Sequence, residues 1–206
     1  MTTEVYIARL SSYPADILKQ EYERIEERFI SIDGARVSQR QENILGRLLL
    51  ERALSEMGVG EYTVEYRGTE KPLLKSCRGL HFNISHSGDF VALALSDSEV
   101  GCDIQEIRPY NSKVTKRNYC EKETKFIENS DNKDESFIRL WALKESVLKF
   151  DGSGIAGGLS SYDFSPYVAY GKFTAYGCNF YVEKIDNTYF ALCHKAEEFT
   201  IKNMDF

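Results

Sequence analysis

Strand alternation over residues 100–107 puts Asp103 and Gln105 on the same face, two residues apart. Two oxygen donors on one strand face can share a hard cation such as Mg²⁺. The alternative is that both side chains lie on a solvated outer face. The pair becomes a usable metal site only if the fold brings a further carboxylate beside it.

The helix predicted over residues 134–150 carries such a carboxylate. At about 100° per residue, Lys144 and Glu145 flank an apolar stripe that contains Trp141. A charged pair beside an apolar stripe costs free energy unless each charge has a partner. One interpretation is that both charges reach water at the helix edge. The other is that Glu145 lies at the floor of a cleft, with Lys144 and Lys149 beside it.

A third segment, FNISHSG at residues 82–88, is an apolar strand that opens into a polar turn. Ser85, His86 and the backbone N–H groups of such a turn can hold a phosphate. A Ser/His hydrolase is an alternative, but adjacent strand residues point apart and the chain has no GxSxG elbow. A purely structural histidine is the remaining interpretation.

These segments must be positioned by an α+β framework. Hydrophobic periodicity and turn residues predict helices over 22–30, 41–57, 122–127 and 134–150, and strands over 62–66, 80–84, 90–95, 100–107, 167–175, 179–185 and 189–194. Asp134 is the expected N-cap of the last helix, Gly152 its expected end, and Asp186-Asn187 a turn. The glycine-rich stretch 152–158 is interpreted as a connector.

Each half of the chain is a helix followed by antiparallel strands, and residues 50–54 align with 144–148 about half a chain later. The pattern predicts two similar, pseudo-twofold lobes, residues 1–100 and 101–206, each a long helix packed on a small antiparallel sheet. We expect one compact unit in which the cleft between the lobes is the ligand site.

Composition excludes several classes of function. The net charge of −6 and pI of about 5.3 argue against a nucleic-acid-binding surface. No apolar run reaches the length of a membrane span, and no signal peptide is recognisable. Five cysteines without CxxC spacing favour reduced thiols in the cytoplasm over a disulfide framework.

The segments FNISHS at 82–87, GCDIQ at 101–105 and WALKESVLK at 141–149, with Lys71-Pro72 upstream, resemble the Sfp-type 4'-phosphopantetheinyl transferase family in content, order and spacing. The resemblance implies two pseudo-twofold lobes with coenzyme A between them. It also implies a reaction of the holo-[acyl-carrier-protein] synthase type, in which phosphopantetheine moves from coenzyme A to a carrier-protein serine and 3',5'-ADP is released. Secondary metabolite synthesis is the expected setting; the sequence leaves the pathway open.

The resemblance also implies roles for individual residues. Asp103, Gln105 and Glu145 are the expected ligands of Mg²⁺, with Mn²⁺ possible; Gln105 departs from many relatives, which carry Glu there. The expected catalytic residues are Glu145, Lys149 and Glu123. The expected coenzyme A contacts are Lys71, Ser85, His86, Lys144, Lys149 and Arg40, with Arg36 a further candidate. Because Gln105 contributes no charge, a non-catalytic module that binds coenzyme A or a nucleotide is the alternative.

Residues 113–125 carry five basic side chains against two acidic ones, within an acidic chain. A local basic patch can steer an acidic carrier protein towards the site. The expected docking residues are therefore Lys113, Lys116, Arg117, Lys122 and Lys125. The alternative is a solvated helix of mixed charge, and a monomer is expected from the chain length.

Overall fold

The structure is a computed structural model, and it describes residues 2–34, 37–68, 70–75, 77, 79–152 and 158–204. Its helices are α1 (Ala15–Glu23), α2 (Gln41–Glu56), α3 (Ser112–Asn118), α4 (Glu121–Glu128) and α5 (Lys133–Asp151). Its strands are β1 (Thr2–Arg9), β2 (Phe29–Ser31), β3 (Val64–Tyr66), β4 (Leu73–Leu74), β5 (His81–Ser87), β6 (Phe90–Ser96), β7 (Val100–Glu106), β8 (Lys172–Ala175), β9 (Cys178–Ile185), β10 (Thr188–His194) and β11 (Glu198–Met204). Within these ranges no helix could cross a membrane.

Two four-stranded sheets form the framework, in the orders β11-β1-β6-β5 and β7-β10-β9-β8. Helix α2 packs against the first sheet and α5 against the second, so the predicted α+β architecture of a long helix on each sheet is confirmed. The first sheet is mixed, because β1 pairs with β11 in parallel. Strand β11 therefore belongs to the first sheet, although the sequence analysis assigned its residues to the lobe 101–206.

Side-chain alternation along the strands builds three apolar cores. On β1, Val5 and Ile7 face the second sheet, while Tyr6 and Ala8 face the helices of the first lobe. The middle core is made by the facing surfaces of the two sheets, and β5 and β7 lie beside each other where the lobes meet. The layers therefore run helix, sheet, sheet, helix.

Several local predictions differ from the structure. The chain over 22–30 ends α1 and then forms β2 instead of one helix, and β1, α3 and β11 were not predicted. Helix α5 is capped by Asn132, whose Oδ1 accepts the Glu135 N–H at 3.2 Å, while Asp134 instead accepts the Tyr110 N–H at 2.8 Å. Gly152 ends the helix as predicted, with a left-handed φ of 73°.

Candidate active site

Asp103 lies on β7 where that strand meets β5 and α5, and its side chain is only 1% exposed. Its Oδ1 accepts hydrogen bonds from Lys149 Nζ at 2.6 Å and Ser85 Oγ at 2.8 Å. Its Oδ2 is buried and has no hydrogen-bond partner in the part of the chain that the structure describes. A buried carboxylate oxygen without a partner is costly, and a bound cation would satisfy it.

Glu145 places a second carboxylate near Asp103. Burial raises the pKa of Glu145, the charge of Asp103 raises it further, and Lys149 opposes the shift. Two carboxylates that repel each other in a poorly hydrated site are stabilised together by a divalent cation. Gln105 is half-buried and follows Asp103 by two residues on β7. This oxygen-rich set, with the free Oδ2, fits Mg²⁺.

Lys149 follows Glu145 by one helical turn on α5. Burial is the largest single effect and would lower the pKa of Lys149, but Asp103, Cys102 and Glu145 together outweigh it and the pKa is raised. The lysine therefore stays protonated at neutral pH. Its side chain is 28% exposed, so the ammonium group remains accessible to an anionic ligand.

Gly101 allows α5 and β7 to approach this closely. A Cβ at this position would overlap the carbonyl oxygen of Ser146 and the backbone nitrogen of Phe150, and would lie 2.8 Å from Phe150 Cα. Only glycine lets the strand contact the helix backbone there, and that contact brings Asp103 within hydrogen-bonding distance of Lys149. The sequence analysis used Gly101 only as part of a motif; a glycine inside a buried strand was the available signal.

His86 lies exposed near the end of β5, beside a cavity of about 160 Å³ that Asn43 and Arg47 of α2 also line. Partial enclosure lowers the pKa of His86; the charges of Lys149 and Arg40 lower it further, and nearby carboxylates oppose the shift. The start of α2 is thus close to His86. Arg47, only 3% exposed, is a buried cation that the sequence analysis missed.

Lys71 borders an adjacent cavity of about 170 Å³, which shares Pro72 and Phe82 with the cavity beside His86. Its Nζ donates to Glu99 Oε2 at 2.9 Å and to the Val100 carbonyl oxygen at 2.8 Å. The two cavities lie side by side along the first lobe. Arg36 lies outside the described residues.

Lys144 and Glu123 do not lie where the sequence analysis expected them. Both side chains are fully buried, with Lys144 Nζ 2.7 Å from Glu123 Oε2. Lys144 also donates to the carbonyl oxygens of Leu159 and Tyr162, while Glu123 accepts the backbone N–H of Phe164 at 3.0 Å. This enclosed pair joins α4 and α5 to the segment after α5. The geometry argues against a phosphate contact for Lys144 and against Glu123 as the catalytic base.

Ser85 also departs from expectation, because its side chain is buried at 5% exposure. Its hydroxyl donates to Asp103 Oδ1 and accepts the Lys149 ammonium at 2.9 Å and the Ile104 N–H at 3.2 Å. A hydroxyl has one proton and two lone pairs, so this set occupies it fully. The geometry argues against a 3'-phosphate contact and against a Ser/His hydrolase.

The five expected docking residues lie on or near α3 and α4, and all five are exposed. Lys122 is 3.6 Å from Asp163 Oδ2, and Lys125 is 2.6 Å from Glu121 Oε1. Because Glu123 is buried with its own lysine partner, it does not offset the positive charge of this surface. Asp163, which lies outside residues 113–125, takes its place beside Lys122, so the surface keeps the basic excess that the count of residues gives.

Comparison with known proteins supports the family resemblance of the sequence motifs. The family model for the 4'-phosphopantetheinyl transferase superfamily matches residues 99–198. The chain is 33% identical over 127 residues to 4'-phosphopantetheinyl transferase psf-1 of Bacillus pumilus, covering 59% of this chain and 54% of that protein. It is 33% identical over 94 residues to Sfp of Bacillus subtilis, covering 45% and 42%. AcpT of Salmonella typhi is 39% identical over 120 residues, covering 53% and 57%.

The resemblance of the motifs to the Sfp-type 4'-phosphopantetheinyl transferase family is confirmed by these matches. The chain spans about half the length of the curated relatives it matches. A solved structure, the holo-[acyl-carrier-protein] synthase of Thermotoga maritima, aligns with a TM-score of 0.36 and 19% identity, over 48% of this chain and 64% of that one.

Proposed function

We propose that this protein transfers 4'-phosphopantetheine from coenzyme A to a serine hydroxyl of an acyl or peptidyl carrier protein, releasing 3',5'-ADP. The observation that carries the proposal is the buried Asp103 carboxylate, which keeps one oxygen free beside Glu145 and Lys149 where the lobes meet. We propose the holo-[acyl-carrier-protein] synthase type of reaction on the same basis, and a cytoplasmic location because all five cysteines are free thiols.

Asp103 and Glu145 would hold Mg²⁺, with Gln105 as a neutral oxygen ligand directly or through water. The bound metal supplies neutralisation of the diphosphate charge, which phosphoryl transfer requires. Lys149, held protonated by Asp103, binds the diphosphate and meets the charge that develops on the leaving 3',5'-ADP.

The serine oxygen forms the new bond to phosphorus as the bond from phosphorus to the oxygen of 3',5'-ADP breaks. The hydroxyl proton passes to the Glu145 carboxylate, directly or through a water molecule. Glu145 can accept this proton because its carboxylate would lie beside the bound metal and the reacting phosphate.

The nucleotide half of coenzyme A would lie along the first lobe. His86 and Arg40 supply an imidazole and a guanidinium near the start of α2, and these groups suit the 3'-phosphate. The cavity beside Lys71 would take the adenine side. The two shared side chains, Pro72 and Phe82, offer apolar surface between these positions.

The carrier protein would approach the basic surface of α3 and α4. We expect Lys116 and Arg117 to act on encounter, because exposed charges change the association rate more than the chemistry. Reversing both to glutamate should raise KM for an acidic carrier and leave KM for coenzyme A unchanged. If the reversal weakens coenzyme A binding and spares the carrier, this surface belongs to the nucleotide site.

The proposal is tested by incubating the protein with an apo carrier protein, coenzyme A and Mg²⁺, followed by mass spectrometry of the carrier. We expect the carrier to gain the mass of one phosphopantetheinyl group, and chelation with EDTA to abolish the gain. Coenzyme A binding without any gain on acyl and peptidyl carriers would favour the non-catalytic alternative.

A further inference from the structure

Strands β5 and β7 run side by side across the lobe boundary, and side chains take the place of a backbone ladder between them. Asn83 Oδ1 accepts the Cys102 N–H at 2.9 Å, Ser85 Oγ the Ile104 N–H at 3.2 Å, and Ser87 Oγ the Glu106 N–H at 3.0 Å. Each strand is the edge of its own sheet. Every second side chain of β5 therefore satisfies an edge N–H group of β7.

The middle position of this row differs from its neighbours. Ser85 alone also contacts the charged groups of the site, donating to Asp103 Oδ1 and accepting from Lys149 Nζ. Lys149 Nζ also donates directly to Asp103 Oδ1, at 2.6 Å. Among the residues that the structure describes, all hydrogen bonds to the Asp103 carboxylate are therefore made to Oδ1, and Oδ2 has no partner.

We propose that Ser85 is a positioning residue for the metal site, and that it does not bind the 3'-phosphate of coenzyme A. Its hydroxyl fixes the rotation of the Asp103 carboxylate so that Oδ2 points away from the β5 contact and is available to Mg²⁺. Groups that orient a metal ligand typically change metal affinity by about 10- to 100-fold when they are removed. This inference rests on the proposed function.

The test uses calorimetric titration of the purified full chain with Mg²⁺ at saturating coenzyme A, and separately with coenzyme A and with 3'-dephospho-coenzyme A. Ser85→Ala should weaken Mg²⁺ binding by about 10- to 100-fold. It should keep the wild-type ratio of affinities for coenzyme A and its dephospho form. Ser85→Thr, which retains the hydroxyl, should keep an Mg²⁺ affinity close to that of the wild type.

Two further variants make the comparison specific. Ser87→Ala removes a neighbouring contact of the same row without touching Asp103, and should change Mg²⁺ affinity by less than Ser85→Ala does. Ser85→Cys keeps the size of the side chain but is a weak hydrogen-bonding group, and should reproduce the loss even if the alanine variant folds poorly.

The inference is overturned if Ser85→Ala loses the preference for coenzyme A over its dephospho form, because the hydroxyl would then contact the 3'-phosphate. Unchanged Mg²⁺ affinity in folded Ser85→Ala and Ser85→Cys would overturn it equally. In both cases the proposed transfer reaction would stand. If the wild-type protein binds no Mg²⁺ in the presence of coenzyme A, the metal-dependent function and this inference both fail.

Discussion

Replacing Gly101 by alanine tests the close contact between β7 and α5, which brings the residues of the proposed metal site together. The added Cβ would meet backbone atoms of Ser146 and Phe150 at distances under 3.0 Å, and a helix backbone cannot rotate out of the way as a side chain can. Helix α5 must therefore move from β7. Inserting a methyl group into a packed interior costs about 1–3 kcal/mol, and we expect the upper end of that range.

The same displacement should separate Asp103 from Lys149 and Glu145, which lie on the two elements being forced apart. Misplacement by about 1 Å can reduce turnover by about 100-fold. The measurements are urea unfolding and the rate of phosphopantetheine transfer, both compared with the wild type. We expect Gly101→Ala to lose stability and most of its activity.

Gly46→Ala is the matched control, because Gly46 also lies at a close helix–strand contact. There the new Cβ would lie 2.7 Å from the Cγ2 methyl group of Ile84, a side-chain atom that can move by rotation about the Cα–Cβ bond, whereas Gly101 faces backbone atoms. Alanine also favours a helix over glycine by about 1 kcal/mol, which offsets the crowding. Gly101→Ala with wild-type stability and activity would refute the close approach of β7 to α5.

Three further changes give separate outcomes. Lys144→Met should reduce the free energy of unfolding by about 3–5 kcal/mol, since it leaves Glu123 charged and unpaired in the interior; lost transfer at full stability in urea would instead indicate a substrate contact. Gln105→Glu should tighten Mg²⁺ binding in a titration, because charge is added at the metal; unchanged affinity would place Gln105 outside the coordination sphere. Burial lowers the pKa of His194 from 6.5 to about 4. As the pH falls between these values, His194 takes up a proton in the unfolded state but not in the folded state. The free energy of unfolding should therefore fall by up to about 3 kcal/mol over this range. His194→Gln should flatten that pH dependence of urea unfolding, and an unaltered slope would contradict the assignment.

The sequence predicted the framework where periodicity was strong. The apolar spacing over α2 and α5, and the short β-like runs over β5, β6 and β7, predicted these elements to within a few residues. Strands β1 and β11 were not predicted because their pairing partners lie far away in the sequence, as in the pairing of Thr3 with Ser96 and with Phe199. Pairing across that separation is decided by packing in three dimensions, which local propensity does not contain.

The site was predictable in its chemistry and less so in its geometry. Residue type and motif order selected Asp103, Glu145 and Lys149, which the structure brings together. They could not distinguish Lys144 from Glu145, although neighbouring helix positions point about 100° apart and here one faces the interior. Residue type and motif order also could not show that the Ser85 hydroxyl donates to Asp103, because that contact depends on the spacing between two sheet edges.

In the proposed function, transfer depends on a metal site formed by Asp103 and Glu145. The most direct test of this dependence is the Mg²⁺ concentration needed for half-maximal phosphopantetheine transfer by the wild type, Asp103→Asn and Glu145→Gln, each shown to be folded. We expect turnover in both variants to fall by at least about 100-fold, as for loss of a group acting on the reacting phosphate, and Asp103→Asn to require more Mg²⁺ for its residual activity. Near-wild-type turnover at the same Mg²⁺ concentration in either variant would show that Asp103 and Glu145 do not hold the metal.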